Sequence, residues 1–293
     1  MIKELVKKSI NLLGYEIKKS SISLGDNFRF SFENHEVSSI IDNDLEAKIF
    51  VFFHKKYKFI DSNFYHNVGL GGFSEGMSSH DAQNLDNISH KNKHYCELTG
   101  LYHVWRNSVK PSILGTAHYR RYLNVLPLYG INNNGFLSLK WDQGSLLLKH
   151  PMQEKQVIKL LEEYDIIVPK SYFLNESLAR HYINTHSNVE WQEFLRSLDF
   201  LYGSNSHSLR SDKRAFWGNI FIARREVFDK YCHDLFSAID SVYASVGVPT
   251  EVANARYQPF RYPGYLAERF LTAFINSHRL KYYEADLVQI NDL

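Results

Sequence analysis

The sequence predicts one α/β domain in which helices cover both faces of a mostly parallel sheet, giving three layers. Three short apolar runs have the length and composition of buried strands: KIFVFF at 48–53, SILGTA at 112–117 and DIIVP at 165–169. Between them lie segments with apolar residues three and four positions apart, which is typical of amphipathic helices. Strands that alternate with helices in this way form layered α/β folds. At 293 residues, the chain is long enough for one large domain of this class.

The first 46 residues differ from the rest, so the α/β domain is predicted over 47–293. Residues 1–19 intersperse lysines with apolar positions, which predicts a basic amphipathic helix ending near Gly14. A polar linker arm follows. Such a helix binds the headgroup region of an anionic membrane or docks on its own domain, and both interpretations stay open.

Composition excludes several classes of function. A net charge of +2 provides no basic field for nucleic acid. The only cysteines, Cys96 and Cys232, are too far apart for a disulfide framework or a zinc site, which favours a reducing, cytoplasmic setting. The sequence has neither the roughly 18-residue apolar run of a membrane span nor a secretory signal.

The stretch Ser112–Leu123, predicted as a strand, carries His118, Tyr119, Arg120 and Arg121 near its end. In open α/β sheets, ligands bind beyond the carboxyl ends of the strands. Paired arginines there can hold a phosphate in a bidentate grip. Together with His118, they are the candidates to stabilise charge on a departing phosphate oxygen. The alternative is one surface arginine and one structural ion pair.

Two glutamates on predicted helices are candidates for a general base. Glu97 lies in a helix predicted over Asn92–Ser108, and Glu268 in the first turn of a helix predicted over Tyr265–His278. We favour Glu268, because the Pro263-Gly264 turn before it can aim the helix into a cleft. Either glutamate could instead only stabilise its helix dipole.

No metal or dinucleotide motif accompanies these residues. A D-x-D triplet follows none of the predicted strands, although Mg²⁺ or Mn²⁺ held by scattered carboxylates stays open. The glycine-rich VGLGGFSEG segment lacks the G-x-G-x-x-G spacing. His181 and His186 indicate packing rather than a metal site, because HExxH is absent. The remaining predicted elements are helices at 152–164, 174–184, 189–202 and 224–246, a strand at 216–223 and an edge strand at 280–290.

Several motifs in order resemble a bacterial family from capsule and exopolysaccharide gene clusters, once classed as a domain of unknown function and regarded as GT-A-like glycosyltransferases. They are HYCELTGLYHVWRN, ILGTAHYRRYL, YDIIVPK, GNIFIA and GYLAERFLTAFI, and the resemblance spans roughly 48–280. It implies a Rossmann-like GT-A core and a nucleotide-sugar donor. His103 departs from the pattern, since a larger aromatic residue is expected there.

The candidate site residues, drawn from the patterns above and from this resemblance, fall into three groups. The catalytic group is Glu268 with Arg120 and Arg121. Donor binding is assigned to His54, Asp81, Glu97, His118, Tyr119, Arg120 and Arg121, and acceptor binding to Trp217, Asn219, His181 and Arg269.

The expected activity is transfer of a hexose, with galactose in pyranose or furanose form as the best candidate, from a UDP-sugar. The expected acceptor is a lipid-linked intermediate of capsule, O-antigen or exopolysaccharide. The protein is expected in the cytoplasm, peripheral on the inner face of the membrane through residues 1–19. Inversion is placed ahead of retention because it needs one base. The alternative is a non-catalytic glycan-binding or assembly protein of the same fold.

Overall fold

A computed structural model of the chain describes residues 46–108, 111–127, 135–248 and 258–291. The predicted helix at 1–19 and its linker arm lie outside the described residues, so the domain boundary at 46/47 stays a prediction. The strands are β1 (Ala47–Phe53), β2 (Tyr65–Gly69), β3 (Ser79–His80), β4 (Ile113–His118), β5 (Arg121–Asn124), β6 (Phe136–Lys140), β7 (Ile166–Pro169), β8 (Tyr172–Phe173), β9 (Arg214–Ala215), β10 (Ile222–Arg224) and β11 (Tyr282–Asn291). The α-helices are α1 (Asn92–Tyr95), α2 (Leu98–Asn107), α3 (Trp141–Leu148), α4 (Met152–Glu163), α5 (Leu178–Ile183), α6 (Asn188–Tyr202), α7 (Arg225–Val246) and α8 (Tyr262–His278).

The central sheet of the described residues has nine strands and is mixed, with five parallel and four antiparallel strand pairs, so the expectation of a mostly parallel sheet holds only in part. Its order is β10-β7-β11-β5-β4-β1-β2-β3, with β6 also beside β11 and β10 also beside β4. Parallel pairs join β1 to β2 and β4, β2 to β3, and β11 to β6 and β7. The antiparallel pairs are β10 with β4 and β7, β11 with β5, and β4 with β5. The antiparallel pairs arise because β10 runs against both its neighbours and β5 returns from β4 by a hairpin.

The predicted strand at 112–123 is this hairpin. β4 ends at His118, and His118 pairs with Arg121 at the start of β5. Tyr119 and Arg120 form the two-residue connection between the strands. Because only two residues separate the strands, the sequence does not show where one ends and the next begins.

β11 lies inside the sheet rather than at its edge. It pairs in parallel with β7 through Tyr282–Ala285 and antiparallel with β5 through Asp286–Gln289. Its register with β6 covers Leu287–Asn291. The position of a strand in the chain therefore does not give its place in the sheet, and the prediction of an edge strand is wrong.

Helices pack on both faces of the sheet, which gives the three expected layers. Alternate side chains of β1 enter opposite cores: Phe50 and Phe52 join one, whereas Ile49, Val51 and Phe53 join the other. Helices α2, α6, α7 and α8 supply the first core, and α3 and α4 the second. None of the described helices is long and apolar enough to cross a bilayer. Since β1, β2 and β4 are parallel, their carboxyl ends meet at one edge.

Candidate functional site

A cleft of about 580 Å³ opens at the carboxyl ends of β1 and β4. Its lining includes ten charged or polar side chains and several aromatic rings. The lining residues are Phe52, His54, Leu70, Asn92, Lys93, Cys96, Glu97, His118, Tyr119, Arg120, Arg121, Gln258, Phe260, Arg261, Gly264, Tyr265 and Glu268. The structure thus brings six of the seven predicted donor-binding residues together with the predicted base.

The β4–β5 turn holds two guanidinium groups at this cleft. The Tyr119 amide donates to the Phe52 carbonyl (3.1 Å), and the Ile290 amide donates to the Arg120 carbonyl (2.8 Å). The Arg120 guanidinium lies 5.2 Å from the centre of the Tyr119 ring. Arg121 donates through Nε to Gln289 Oε1 (3.2 Å). The turn is therefore anchored to β1 and β11, and both half-buried arginines line the cleft.

His118 is neutral at pH 7, in contrast to the expectation that it acts as a cation. Burial lowers its pKa to about 4. A ring hydrogen bond with the Gly218 backbone opposes this shift, so in that bond the ring donates. Nε2 is buried without a partner among the described residues, which makes it the nitrogen with a free lone pair. His118 therefore lines the cleft as a neutral ring with a buried Nε2, and it cannot neutralise a phosphate.

Glu97 enters the cleft through a break in the predicted 92–108 helix. Cys96 takes φ 54° and ψ −128°, which ends α1, and Glu97 then precedes α2. Glu97 Oε1 accepts from Asn219 Nδ2 (2.9 Å). Asn219 itself has φ 51°, a left-handed conformation that asparagine tolerates, and Thr116 donates to its carbonyl (2.8 Å). Asn219 is buried behind Glu97 and orients this carboxylate.

Glu268 lies in the second turn of its helix rather than the first. α8 begins at Tyr262, with Pro263 in its first turn. Because the helix dipole acts mainly within the first turn, a dipole role is weaker here than the sequence indicated. Burial raises the pKa of the Glu268 carboxyl to about 7, and the Glu97 carboxylate adds to the rise. A carboxyl in a cleft that titrates near neutrality is suited to general-base chemistry.

Arg261 is a cleft residue that the sequence analysis missed. It donates through Nε to Cys96 Sγ (2.9 Å) and through Nη1 to Gln258 (3.3 Å). Burial raises the pKa of the Cys96 thiol to about 11, so the thiol is neutral. The Pro263-Gly264 turn could have indicated Arg261. A turn that aims the start of a helix into a cleft also places the residue just before the helix there.

His54, also predicted, follows β1 and packs edge-to-face against Tyr119, with ring centres 5.1 Å apart. Partial burial lowers its pKa, as do the nearby charges of Lys55 and Arg261. It is therefore mostly neutral at pH 7, and it lines the cleft wall as a polar aromatic side chain.

Asp81 does not line the cleft, which corrects its assignment to donor binding. It is fully buried, and its carboxylate accepts from the amides of Gly71 (2.8 Å) and Gly72 (3.0 Å) and from the Thr99 hydroxyl. Both glycines have positive φ, 62° and 79°. Asp81 thus fixes the loop after β2 against α2.

Replacing Asp81 by alanine tests this structural role. Asp81→Ala removes the charged acceptor of two loop amides and of the buried Thr99 hydroxyl, so we expect the free energy of unfolding to fall by about 2 kcal/mol or more. Urea denaturation measures this loss. Asp81→Asn, which keeps one acceptor oxygen, is expected to fall between Asp81→Ala and the wild type. A loss below about 1 kcal/mol for Asp81→Ala would contradict the role.

The predicted acceptor-binding group also lies outside the cleft lining. Trp217 and Arg269 are 8% and 3% exposed, and the Arg269 guanidinium lies 4.6 Å from the Trp217 ring centre. His181 accepts from Arg269 Nη2 at 3.1 Å through Nδ1. With Asn219 buried as well, these four residues form a layer behind the cleft. Trp217, Asn219 and Arg269 are therefore too buried to contact a glycan acceptor in this conformation, and His181 is half-buried outside the cleft lining.

The described side chains of the cleft do not form a preassembled site for a divalent metal ion. The end of β4 supplies a neutral histidine, a tyrosine and two arginines. The cleft carboxylates, Glu97 and Glu268, accept from Asn219 and Arg269. Among the described residues, no group of three or more His, Cys, Asp or Glu side chains could hold a metal ion. Three guanidinium groups and the Lys93 ammonium are the cations that this cleft offers to an anionic ligand.

A comparison with protein families shows to which family most of the chain corresponds. The model of the family described as "Domain of unknown function (DUF4422)" matches residues 48–279. The chain belongs to this family. No curated protein matches it. The DUF4422 match covers β1 through α8, and so includes every element that lines the cleft.

Solved structures show what fold this DUF4422 chain has. The apo structure of the bifunctional glycosyltransferase WbbM superimposes with a TM-score of 0.73 at 22% sequence identity. The match covers 84% of this chain but 46% of WbbM, so the chain spans less than half of that protein. The mannosyltransferase Ktr4p from S. cerevisiae gives a TM-score of 0.29 at 9% identity, over 82% of this chain and 71% of Ktr4p, and carries no argument. The DUF4422 chain therefore shares its fold with the matched part of WbbM.

Proposed function

We propose that the protein is a nucleotide-sugar-dependent glycosyltransferase whose donor binds in the cleft at the carboxyl ends of β1 and β4. The observation that carries this proposal is that one cleft combines the Arg120–Arg121 turn with a buried carboxyl, Glu268, whose pKa is about 7. An anion site beside a base poised near neutral pH is what transfer from a sugar diphosphate to a hydroxyl requires.

The diphosphate is assigned to the cationic part of the cleft. Arg120, Arg121, Arg261 and Lys93 bring four positive charges to the lining, against the two carboxylates of Glu97 and Glu268. Planar guanidinium groups bind phosphate oxygens bidentately, and their charge stabilises the diphosphate as it leaves. Phe260 and Tyr265 supply aromatic faces on which a nucleobase can stack.

The sugar is assigned to the acceptor groups beside these cations. Glu97 and the neutral His118 line the cleft, and they carry a carboxylate and a buried, unprotonated Nε2. Both are acceptors, so they match the hydroxyl donors of a sugar and repel phosphate oxygens. Glu268 then removes the proton from the attacking hydroxyl of the acceptor.

The finer features of the proposal extend beyond the cleft. We assign the donor as a UDP-hexose, with galactose in pyranose or furanose form as the best candidate, and favour inversion because a single base serves it. The acceptor is a lipid-linked intermediate of a surface polysaccharide: capsule, O-antigen or exopolysaccharide. Binding at the inner face of the cytoplasmic membrane through residues 1–19 would bring the enzyme to this acceptor. The fold shared with the matched part of WbbM supports the reaction class.

A panel of nucleotide sugars tests the reaction class. We expect the purified protein to hydrolyse a UDP-hexose slowly in the absence of acceptor, with the same rate in EDTA. Release of the nucleoside diphosphate is the measurement, and Glu268→Gln is the matched inactive variant. If glycans bind but no nucleotide is bound or hydrolysed, the protein is a non-catalytic glycan-binding or assembly protein instead.

A further inference from the structure

A buried guanidinium lies directly beneath the proposed base. Arg269 donates through Nη1 to Glu268 Oε2 (3.1 Å) and to the Tyr265 carbonyl (2.9 Å). Its side chain is 4% exposed, and that of Glu268 is 15% exposed. Buried charges of this kind are stable only when they are paired, so the Glu268 carboxylate is the natural counterion of Arg269.

The surroundings of Arg269 fix its position. His181 Nδ1 lies 3.1 Å from Nη2, and arginine can only donate, so Nδ1 carries no proton. Burial, and then the charge of Arg269, lower the pKa of His181 to about 4, which keeps this acceptor neutral. The guanidinium also lies over two rings, 4.6 Å from the centre of Trp217 and 5.5 Å from that of Tyr182. The two rings therefore pack against the guanidinium group, and His181 binds one of its nitrogens.

We propose that Arg269 is a positioning residue that orients the Glu268 carboxylate towards the cleft and favours its ionised form, and that His181 holds Arg269 in place. This inference rests on the proposed function only in naming Glu268 as the base. It gives a role to two residues that do not line the cleft. The contacts run from His181 on α5 to Arg269 on α8, and from Arg269 to Glu268 in the cleft.

The other charges that face Glu268 come from three separate elements. Arg121 at the start of β5 and Arg261 before α8 favour the ionised carboxyl, whereas Glu97 before α2 disfavours it. Among these neighbours, Arg269 has the largest effect on the Glu268 pKa, after burial itself. It is also the one that is hydrogen-bonded to the carboxylate. Removing the charge of Arg269 should therefore raise the pKa of Glu268. Burial and Glu97 both raise this pKa, and only Arg121 and Arg261 would remain to lower it.

The titration of the Glu268 carboxyl tests the proposal without relying on activity. In protein labelled with ¹³C at glutamate carboxyls, the Glu268 signal is identified by its loss in Glu268→Gln. We expect a midpoint near 7 in the wild type. In Arg269→Gln it should rise by about one unit or more, since a nearby opposite charge shifts a pKa by roughly one to three units. Arg196→Gln, an exposed arginine on α6, is the control and should not move it.

Enzyme kinetics supply the second readout. In Arg269→Gln, the rise of kcat/KM with pH should move upward by the same amount, so that activity at pH 7 falls about fivefold or more and recovers at higher pH. Arg269→Lys keeps the positive charge but loses the planar guanidinium that bonds Glu268 and His181 together. Its pH midpoint should therefore stay near that of the wild type, while kcat falls because the carboxylate is less well oriented. If Arg269→Gln and Arg269→Lys both fold and both keep the pH profile and the kcat of the wild type, the proposal is overturned.

His181 variants keep the proposal testable if Arg269 variants fail to fold. His181→Asn retains an acceptor near the Nδ1 position and should titrate as the wild type does. His181→Leu removes the acceptor and should raise the Glu268 midpoint, while an unchanged midpoint overturns the role of His181. If the carboxyl midpoint moves but the kinetic profile does not, Glu268 is not the base. In that case the proposed function fails and the positioning contact stands.

Discussion

Glu268→Gln is expected to reduce kcat by about 10²- to 10⁴-fold, which is the usual contribution of a general base. Glutamine has nearly the same shape and retains an oxygen that can accept from Arg269 Nη1, but it cannot take a proton. The affinity for the nucleoside diphosphate should stay within about twofold, because the cations of the cleft are unchanged. Transfer or hydrolysis kinetics, together with calorimetric titration of UDP, measure both quantities.

The general-base role of Glu268 also predicts how the rate changes with pH. A base must be ionised to act, and the Glu268 pKa is about 7, so the wild-type rate should rise with pH through about 7 and level off above 8. Glu268→Gln should lose this rise. A Glu268→Gln variant that keeps more than about a tenth of the wild-type kcat would assign the base to another residue.

Arg120→Ala and Arg121→Ala are expected to weaken UDP binding by about 10- to 100-fold each. A hydrogen bond to a charged group contributes roughly 1.5 to 3 kcal/mol, which corresponds to this range. The double variant should lose measurable binding. Calorimetry and the UDP-induced rise in Tm measure the effect, and arginine-to-lysine changes should recover only part of it, because lysine cannot bind two phosphate oxygens in a fork.

Uridine is the matched ligand for the arginine variants, since it keeps the base and ribose but has no phosphate. Its affinity should be the same in the wild type and in both alanine variants. Arg106→Ala is the matched protein control, because Arg106 pairs with Asp86 at 2.8 Å and does not line the cleft. Equal losses for UDP and uridine would mean that the arginines shape the cleft rather than bind phosphate.

The sequence predicted the parts of the site that depend on local signals. The apolar runs of β1 and β4 located the sheet, and the polar residues after β4 located its reacting edge. Helices α4, α6 and α7 were predicted within one residue of their observed bounds, because apolar spacing of three and four residues is a local property. Glu268 was selected from the turn before it, and the structure places it in the cleft.

Long-range contacts were not predictable in this way. Nothing local in the strand at 280–290 indicates that it pairs with three other strands, since register is set by the fold as a whole. Asp81 was assigned to the site from the family resemblance and Arg269 as an acceptor-binding residue, yet both side chains are buried. Gly71 lies ten residues before Asp81 and His181 lies 88 residues before Arg269, and no local pattern indicates either contact, so only the structure reveals that these charges are satisfied inside the protein.

A crystal structure of the protein with UDP tests the central claim most directly. The proposed account predicts that the diphosphate lies at the β4–β5 turn, with its oxygens within about 3.2 Å of the guanidinium nitrogens of Arg120 and Arg121. A nucleotide bound elsewhere, or bound in the cleft with its phosphates held by neither arginine, would contradict it.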